Sequence, residues 1–299
     1  MPLYRQTFPC SLKTVAILAP GLIGGSLALA LARAGEWKIH VWARGEASLQ
    51  KAKMLLQPLK ASLQFEEVIP GAKVIVLCSP VSAMGKLARK IQPFLDVDAV
   101  VTDVGSIKVF VMRELVPILG DRFLGGHPMA GSEQSGLDAA RWDLFLRAPC
   151  ILTPLGPANH PTVISHLEKV RNLWISAGAR IFEMTPEQHD AAVAFISHLP
   201  HVTAVALVST ICSQPLSLQE IAGGGYRDAT RIAQGSADLW LDVLLENREA
   251  ILAALSHYDN QLQTLSHLLK VSDTEGLYNF LEKASMARSL LRNQSYAEN

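Results

Sequence analysis

No residue between Val15 and Ala32 carries a charge, and Pro20, Gly21, Gly24 and Gly25 stand in the middle of that run. The first fact alone suits a membrane span or the apolar part of a secretory signal, with Arg5 and Lys13 as flanking cations. The second fact breaks any spanning helix. The run divides instead into a β-rich piece, Thr14 to Leu18, and an Ala/Leu-rich helical piece, Ser26 to Ala34. Strand, glycine turn and helix in that order begin an α/β fold.

The alternation continues. Strands are expected at Lys38–Trp42, Lys73–Cys78, Ala99–Val104, Phe123–Gly126, Pro149–Thr153 and Arg180–Glu183. Helices are expected at Ala47–Leu56, Val81–Gln92, Lys108–Leu119 and Pro161–Ala177. The continuous apolar run Lys-Val-Ile-Val-Leu-Cys (73–78) suits a strand buried on both faces, so the sheet is expected to be mostly parallel with helices on both sides. At Thr185-Pro186-Glu187 the character changes: an N-cap, a proline for the first helical position and an acid for the first turn. From there the chain reads as helical, with Ala191–Ser213, Asp238–Leu255 and Tyr258–Leu269 as its long segments and interruptions at Gln214-Pro215 and Gly223-Gly224-Gly225. The fold class is therefore α/β: a Rossmann-like doubly wound domain over 1–185, then an all-helical domain over 186–299.

Composition narrows the partners. The 299 residues hold 27 Lys+Arg against 27 Asp+Glu, which gives no basic surplus for nucleic acid. Only 18% of residues are charged and 49% are hydrophobic, which excludes disorder and points to surface covered by another subunit. Cys10, Cys78, Cys150 and Cys212 are too far apart for a CxxC-type site and are expected to be reduced, buried thiols of a cytosolic (cytoplasmic) protein.

The first turn, Ala19-Pro20-Gly21-Leu22-Ile23-Gly24, matches the dinucleotide fingerprint GxGxxG with Ala19 in place of the first glycine. Gly21 would let the backbone approach a pyrophosphate, and Gly24 would let helix pack on strand. The second strand ends Val41-Trp42-Ala43-Arg44, with no carboxylate to accept a ribose hydroxyl. Arg44 can face a 2′-phosphate, which leans toward NADP; it could also stack on adenine in an NAD enzyme or be a solvated loop charge. Ser79-Pro80 and Asp103 to Ser106 follow later strands and are placed to touch cofactor, with helix capping as the alternative for Ser79.

His127 sits between Gly125-Gly126 and Pro128. An imidazole with pKa near 6.5 suits removal of a hydroxyl proton near neutral pH, and a structural histidine is the alternative. No histidine has metal-binding partners in its neighbourhood, so no metal is expected.

Five stretches then recur in order: Gly-Leu-Ile-Gly-Gly-Ser (21–26), Thr-Asp-Val-Gly-Ser-Ile-Lys (102–108), Gly-Gly-His-Pro-Met-Ala-Gly-Ser-Glu (125–133), Ser-His-Leu-Pro-His (197–201) and Gly-Gly-Gly-Tyr-Arg-Asp-Ala-Thr-Arg-Ile-Ala (223–233). With them the chain, from about residue 13 to 290, resembles the prephenate/arogenate dehydrogenase family of tyrosine biosynthesis. The resemblance implies oxidative decarboxylation of prephenate, arogenate or both with an NAD(P) cofactor. His127 would accept the ring-hydroxyl proton and Ser106 would align base, substrate and nicotinamide. Arg231 would clamp a carboxylate, and His198 and His201 would line the pocket. Ser132 is a polar substrate contact on this reading, Glu133 a charge partner, and Arg227 with Asp228 an ionic latch beside the pocket. Trp240 reads as core or subunit interface.

Another β-hydroxyacid-type dehydrogenase would want a lysine on the first long helix of the second domain, and Glu187 to Ser213 has none. A nucleotide sensor with a dead site would lack His127, Ser106 or Arg231. A homodimer through the helical domain is expected, with no nucleic-acid partner and no membrane. No chorismate mutase segment is expected before the first strand, and no ACT-type regulatory domain after residue 290.

Overall fold

The computed structural model describes residues 12–132, 134–156, 161–214 and 218–296. Cys10, Glu133 and Pro215 lie outside the described residues.

The chain begins β1 (Lys13–Leu18), α1 (Leu22–Ala34), β2 (Trp37–Trp42), α2 (Glu46–Leu56), β3 (Lys60–Ser62) and α3 (Phe65–Val68). It continues β4 (Val74–Leu77), α4 (Val81–Ile91), β5 (Val100–Asp103), α5 (Val109–Leu119) and β6 (Phe123–Pro128). β7 (Pro149–Thr153), α6 (Pro161–Ser176) and β8 (Arg180–Glu183) complete one sheet in the order β3-β2-β1-β4-β5-β6-β7-β8. Every neighbouring pair is parallel except β6 with β7.

The uncharged opening run is explained by this sheet. Val15 and Ile17 of β1 feed one core, under α1, α2 and α6, while Ala16 and Leu18 feed the other, under α4 and α5. β4 divides in the same way, Val74 and Val76 to one side, Ile75 and Leu77 to the other. A strand with a core on each face must be apolar at every position. The order reverses between β1 and β4, so the crevice for a ligand opens at their carboxyl ends, above the Ala19–Gly21 turn.

β3 and α3 went unread in the sequence, since three residues, Lys-Ala-Ser, carry no usable period. α1 starts at Leu22 rather than Ser26, so Gly24 and Gly25 lie inside the helix. β6 runs on through His127 to Pro128. Cys150 is buried and Cys78 half-buried, but Cys212, expected to be buried, is exposed at the end of its helix.

Beyond the sheet come α7 (Pro186–Val193), a single π turn (Ala194–His198) and α8 (Leu199–Cys212). The Thr185 hydroxyl accepts from the Gln188 N–H at 3.2 Å and the Gln188 side chain accepts from the Thr185 N–H at 3.0 Å, a complete capping box. Then follow α9 (Gly224–Thr230), α10 (Ala237–Glu246), α11 (Arg248–Lys270) and α12 (Thr274–Tyr296). The expected break near residues 255–258 does not exist: α11 runs through it, and the break falls at Asn247 (φ −112°, ψ 24°). Ser256 and His257 cost a helix little. Asn247 leaves the helix because its side chain is held elsewhere, as described below. The chain divides into two compact units, one ending at Arg248 and the other beginning at Glu249.

Candidate active site

The turn after β1 is built for close approach. Gly21 is the N-cap of α1, and a Cβ there would meet nothing within 4 Å, so the space above the helix N-terminus is open. A Cβ on Gly24 would lie 2.8 Å from Cys78 Sγ and 3.1 Å from Ile17 Cγ2, so only glycine lets α1 sit down on β1 and β4. The first turn of α1 has no side-chain cap and no acid, which leaves its N–H groups and positive dipole end for an anion. Ala19 holds φ at 59°, the left-handed conformation the fingerprint reserves for glycine. These features fit the pyrophosphate of a dinucleotide. Arg44 is exposed after β2, and Glu46, the first acid, accepts from Gln50 within α2. Ser79 does not cap α4: its hydroxyl donates to the Pro80 carbonyl at 3.4 Å, and the N-cap is Pro80.

The Ser106 loop is pinned from below. Asp103, expected at the cofactor, is fully buried and its carboxylate is occupied. One oxygen accepts from Gly126 N–H at 3.0 Å; the other accepts from Gly105 N–H at 2.7 Å and from the Lys108 ammonium. Lys108 is also fully buried. Stranding either charge costs about 3–5 kcal/mol, so the pair fixes loop to strand. Ser106 itself is half-buried at the top of that loop.

The same pair explains Gly-Gly before the histidine. A Cβ on Gly125 would lie 2.3 Å from Thr153 Oγ1 and 3.3 Å from Lys108 Cδ; one on Gly126 would lie 2.9 Å from the Asp103 carbonyl. β6 threads between these groups only as glycine.

His127 is therefore delivered on a rigid strand, and its Nδ1 lies 2.8 Å from His189 Nε2. His189 Nδ1 is 2.7 Å from Asp190 Oδ1. The Asp190 carboxylate also accepts from Lys108 N–H at 2.7 Å and Val109 N–H at 2.9 Å, which caps α5. Asn247 Nδ2 donates to the Asp190 backbone carbonyl at 3.0 Å and lies 3.1 Å from His198 Nδ1. That amide is a donor, so His198 Nδ1 accepts and its proton sits on Nε2.

His201 stacks on Trp240, with centroids 3.5 Å apart and planes 6° apart, and His198 meets the same indole edge-on at 6.0 Å.

The π turn makes this cluster possible. At about 100° per residue, the nine steps from His189 to His198 total roughly 900°, which is the opposite face of an uninterrupted α-helix. One π turn absorbs one residue and brings His198 to roughly 80° from His189. His189, Asp190, His198 and His201 are all buried as a result.

Burial sets their protonation. It holds His127 well below the ordinary histidine range, with His189, Lys108 and His198 adding to the effect. Burial lowers His189 too, partly offset by the Asp190 carboxylate. His198 falls to about 4, mainly through burial, with Asp190 and the Ser106 carbonyl opposing; among the described residues none forms a hydrogen bond with its Nε2. His201 is lowered by burial against the Ile232 carbonyl that bonds it. All four are neutral at neutral pH.

The structure thus brings His127, His198 and His201 together, with Ser106 on the adjoining loop. Arg231 is exposed but precedes Ile232, whose carbonyl meets His201. Arg227 and Asp228 are exposed on α9, and Ser132 is exposed with its hydroxyl accepting from Gln134 N–H at 3.0 Å. His189, Asp190, Lys108 and Asn247 were missed in the sequence. The one visible sign was a His-Asp pair just inside a strongly apolar helix. No group of three or more His, Cys, Asp or Glu among the described residues could hold a metal ion.

Comparison with known proteins gives the same reading. The family model "Prephenate dehydrogenase, nucleotide-binding domain" matches residues 27–183, and "Prephenate dehydrogenase, dimerization domain" matches residues 185–283. The cyclohexadienyl dehydrogenase of Zymomonas mobilis is 32% identical over 94% of this chain and 96% of its own length. The prephenate dehydrogenase of Bacillus subtilis is 33% identical over 91% of this chain and 74% of its own length. The structure of prephenate dehydrogenase from A. aeolicus, in complex with hydroxyphenyl propionate and NAD+, superposes with a TM-score of 0.86 at 34% identity, covering 94% of this chain and 99% of that one. The chain is an NAD(P)-dependent oxidoreductase and belongs to the prephenate dehydrogenase family.

Proposed function

We propose that the enzyme oxidatively decarboxylates prephenate to 4-hydroxyphenylpyruvate, with arogenate as the alternative or second substrate and NADP as the favoured cofactor. The observation that carries the reading is His127, neutral by burial and presented at the end of β6 beside Ser106 and the His198–His201 wall. The nicotinamide, when bound, takes the hydride from the ring carbon that bears the hydroxyl. His127 accepts the hydroxyl proton, and Ser106 aligns hydroxyl and base. With hydride and proton gone the carbon is a carbonyl; the electron pair of the breaking carboxylate bond enters the ring, carbon dioxide leaves, the ring becomes aromatic, and the phenolate oxygen takes its proton back from His127. His198, with Nε2 as a donor, and His201, fixed by Trp240, line the substrate. Arg231 clamps a carboxylate, Ser132 gives a polar contact, and Arg227 with Asp228 latches the rim. Ala19, Gly21, Leu22, Ile23 and Gly24 hold the pyrophosphate, while Ser79, Pro80 and the loop above Asp103 border the nicotinamide.

NADP is favoured because β2 ends without a free carboxylate and Arg44 stands exposed at the corner where a 2′-phosphate would lie. Domain roles follow: 1–185 for the dinucleotide, 186–299 for substrate and dimerisation. Pro186–Cys212 is apolar and long enough to cross a membrane, with 28% of its most apolar window buried. His189 bonds to β6 and Asp190 to the start of α5, so one face of this segment packs against the protein. Its uncovered apolar side chains, Phe195, Ile196, Val205 and Leu207, with Leu239 and Leu241 on α10, suit a homodimer interface. A cytosolic enzyme that draws on the cell's NAD(P) pool goes with this reading.

A matrix of prephenate and arogenate against NADP and NAD tests this, read as reduced cofactor. Turnover should be highest with prephenate and NADP, and His127→Asn should lower it by about two to four decades. No reduction in any pairing would refute the activity. Better turnover with NAD would refute the role of Arg44.

A further inference from the structure

We propose that His189 and Asp190 are positioning residues that fix which nitrogen of His127 meets the substrate and receive the proton that His127 displaces. The proposal rests on His127 being the base, and the hydrogen bonds set the rest. The Asp190 carboxylate accepts from two backbone N–H groups, which can only donate, and from His189 Nδ1. His189 therefore carries its proton on Nδ1, and its Nε2 is an acceptor. His127 Nδ1, 2.8 Å from that acceptor, must hold a proton and donate it. His127 Nε2 is then unprotonated and is the nitrogen left for the substrate. An isolated imidazole would divide between two tautomers, and here the neighbours select one.

The same chain has a place for the proton. As the substrate O–H proton moves to His127 Nε2, the Nδ1 proton can pass to His189 Nε2. His127 stays neutral, and His189 becomes an imidazolium bonded to the Asp190 carboxylate. The substrate O–H bond breaks as the His127 Nε2–H bond forms, and the His127 Nδ1–H bond breaks as the His189 Nε2–H bond forms, so no other reactant is needed. The charge moves from a site that disfavours it to one with an anion in contact. Around His189 the charged and titratable groups are Asp190 on its own helix, Lys108 before α5, Asp103 on β5, His127 on β6 and His198 in the π turn. Lys108 opposes a cation at His189, while Asp190 and Asp103 favour it. The arrangement parallels the acid–histidine pairing of hydrolytic triads, with a second histidine interposed.

The test uses the full-length enzyme with its best substrate and cofactor. His189→Leu removes the acceptor; His189→Gln keeps an acceptor for the His127 Nδ1 proton but cannot take that proton up. His189→Leu is expected to lower kcat about 10- to 100-fold with KM within about threefold. The acid limb of its kcat profile should move to lower pH, because the first proton taken up by the coupled rings rests on His189 against Asp190, and burial alone then keeps a lone His127 neutral. His189→Gln should recover part of kcat, since the tautomer is kept, while the acid limb stays displaced. A merely structural residue would change stability without moving that limb. Both variants within threefold of the parent in kcat, with an unmoved limb, would overturn the proposal. If His189→Leu does not fold, His189→Gln decides by the same profile. His127→Asn run alongside separates the two readings: an active His127→Asn refutes the base itself, whereas an inactive one beside a normal His189→Leu refutes only the positioning role.

Discussion

Ala19 is an L-residue held at φ 59°, with its N–H bonded to the Trp42 carbonyl at 2.9 Å. The turn after β1 dictates that backbone, and the missing glycine of the fingerprint does not change it. Left-handed geometry costs a residue with a Cβ about 1–2 kcal/mol, and glycine gives back about 0.5–1 kcal/mol through its looser unfolded chain. Ala19→Gly should therefore stabilise the protein by about 0.5–1 kcal/mol, read as a higher urea midpoint at unchanged slope; a lower midpoint would mean the methyl packs usefully. Residues of this kind were legible because their chemistry is local: Gly21 and Gly24 by spacing, His127 by its glycine and proline neighbours. Asp103 was misread because a carboxylate at a strand end looks the same whether it meets a ligand or a buried lysine. For His189 and Asp190 the sequence showed only an adjacent His-Asp pair, because 62 residues separate His189 from His127, which it touches.

At the scale of elements, glycine carries two different messages that sequence alone does not separate. In β6, a Cβ on Gly126 would be 2.9 Å from the Asp103 carbonyl, a backbone atom that cannot swing away. Gly126→Ala should cost about 1–3 kcal/mol and displace His127, lowering kcat as well as the melting temperature. At the start of α1, a Cβ on Gly21 would meet only open space. Gly21→Ala should leave the melting temperature nearly unchanged and raise the KM for cofactor about tenfold or more, with kcat/KM for cofactor as the readout. Equal effects of the two substitutions on stability would contradict the packing described here. The strands and helices around these glycines were legible because a strand between two cores must be apolar throughout and helices declare themselves by period. The π turn and the break at Asn247 were not. The break goes with the hydrogen bonds that the Asn247 amide donates to the Asp190 carbonyl and His198 Nδ1, and the local residues at both places would accept a plain α-helix.

For the whole molecule, the zero net charge of the sequence gives no hint of how its stability should respond to acid. The five histidines whose pKa is lowered in the folded state, His40, His127, His189, His198 and His201, do. In each the first cause is burial. Below about pH 6.5 the unfolded chain protonates these rings while the folded protein does not, so unfolding takes up protons and stability rises with pH. Each ring contributes a slope of at most about 1.4 kcal/mol per pH unit between its unfolded and folded values. For His198 that window runs from 6.5 down to about 4. Urea midpoints measured at fixed protein concentration should therefore fall steeply from pH 7 to pH 5, before ordinary carboxylates titrate; fixed concentration matters because a dimer's midpoint depends on it. His198→Gln should flatten the slope below pH 6.5 by about one proton, whatever it does to the midpoint at pH 7. A midpoint that holds level or rises on acidification would show that the histidine cluster is charged in the folded protein. It would also remove the ground for reading His127 as a neutral base.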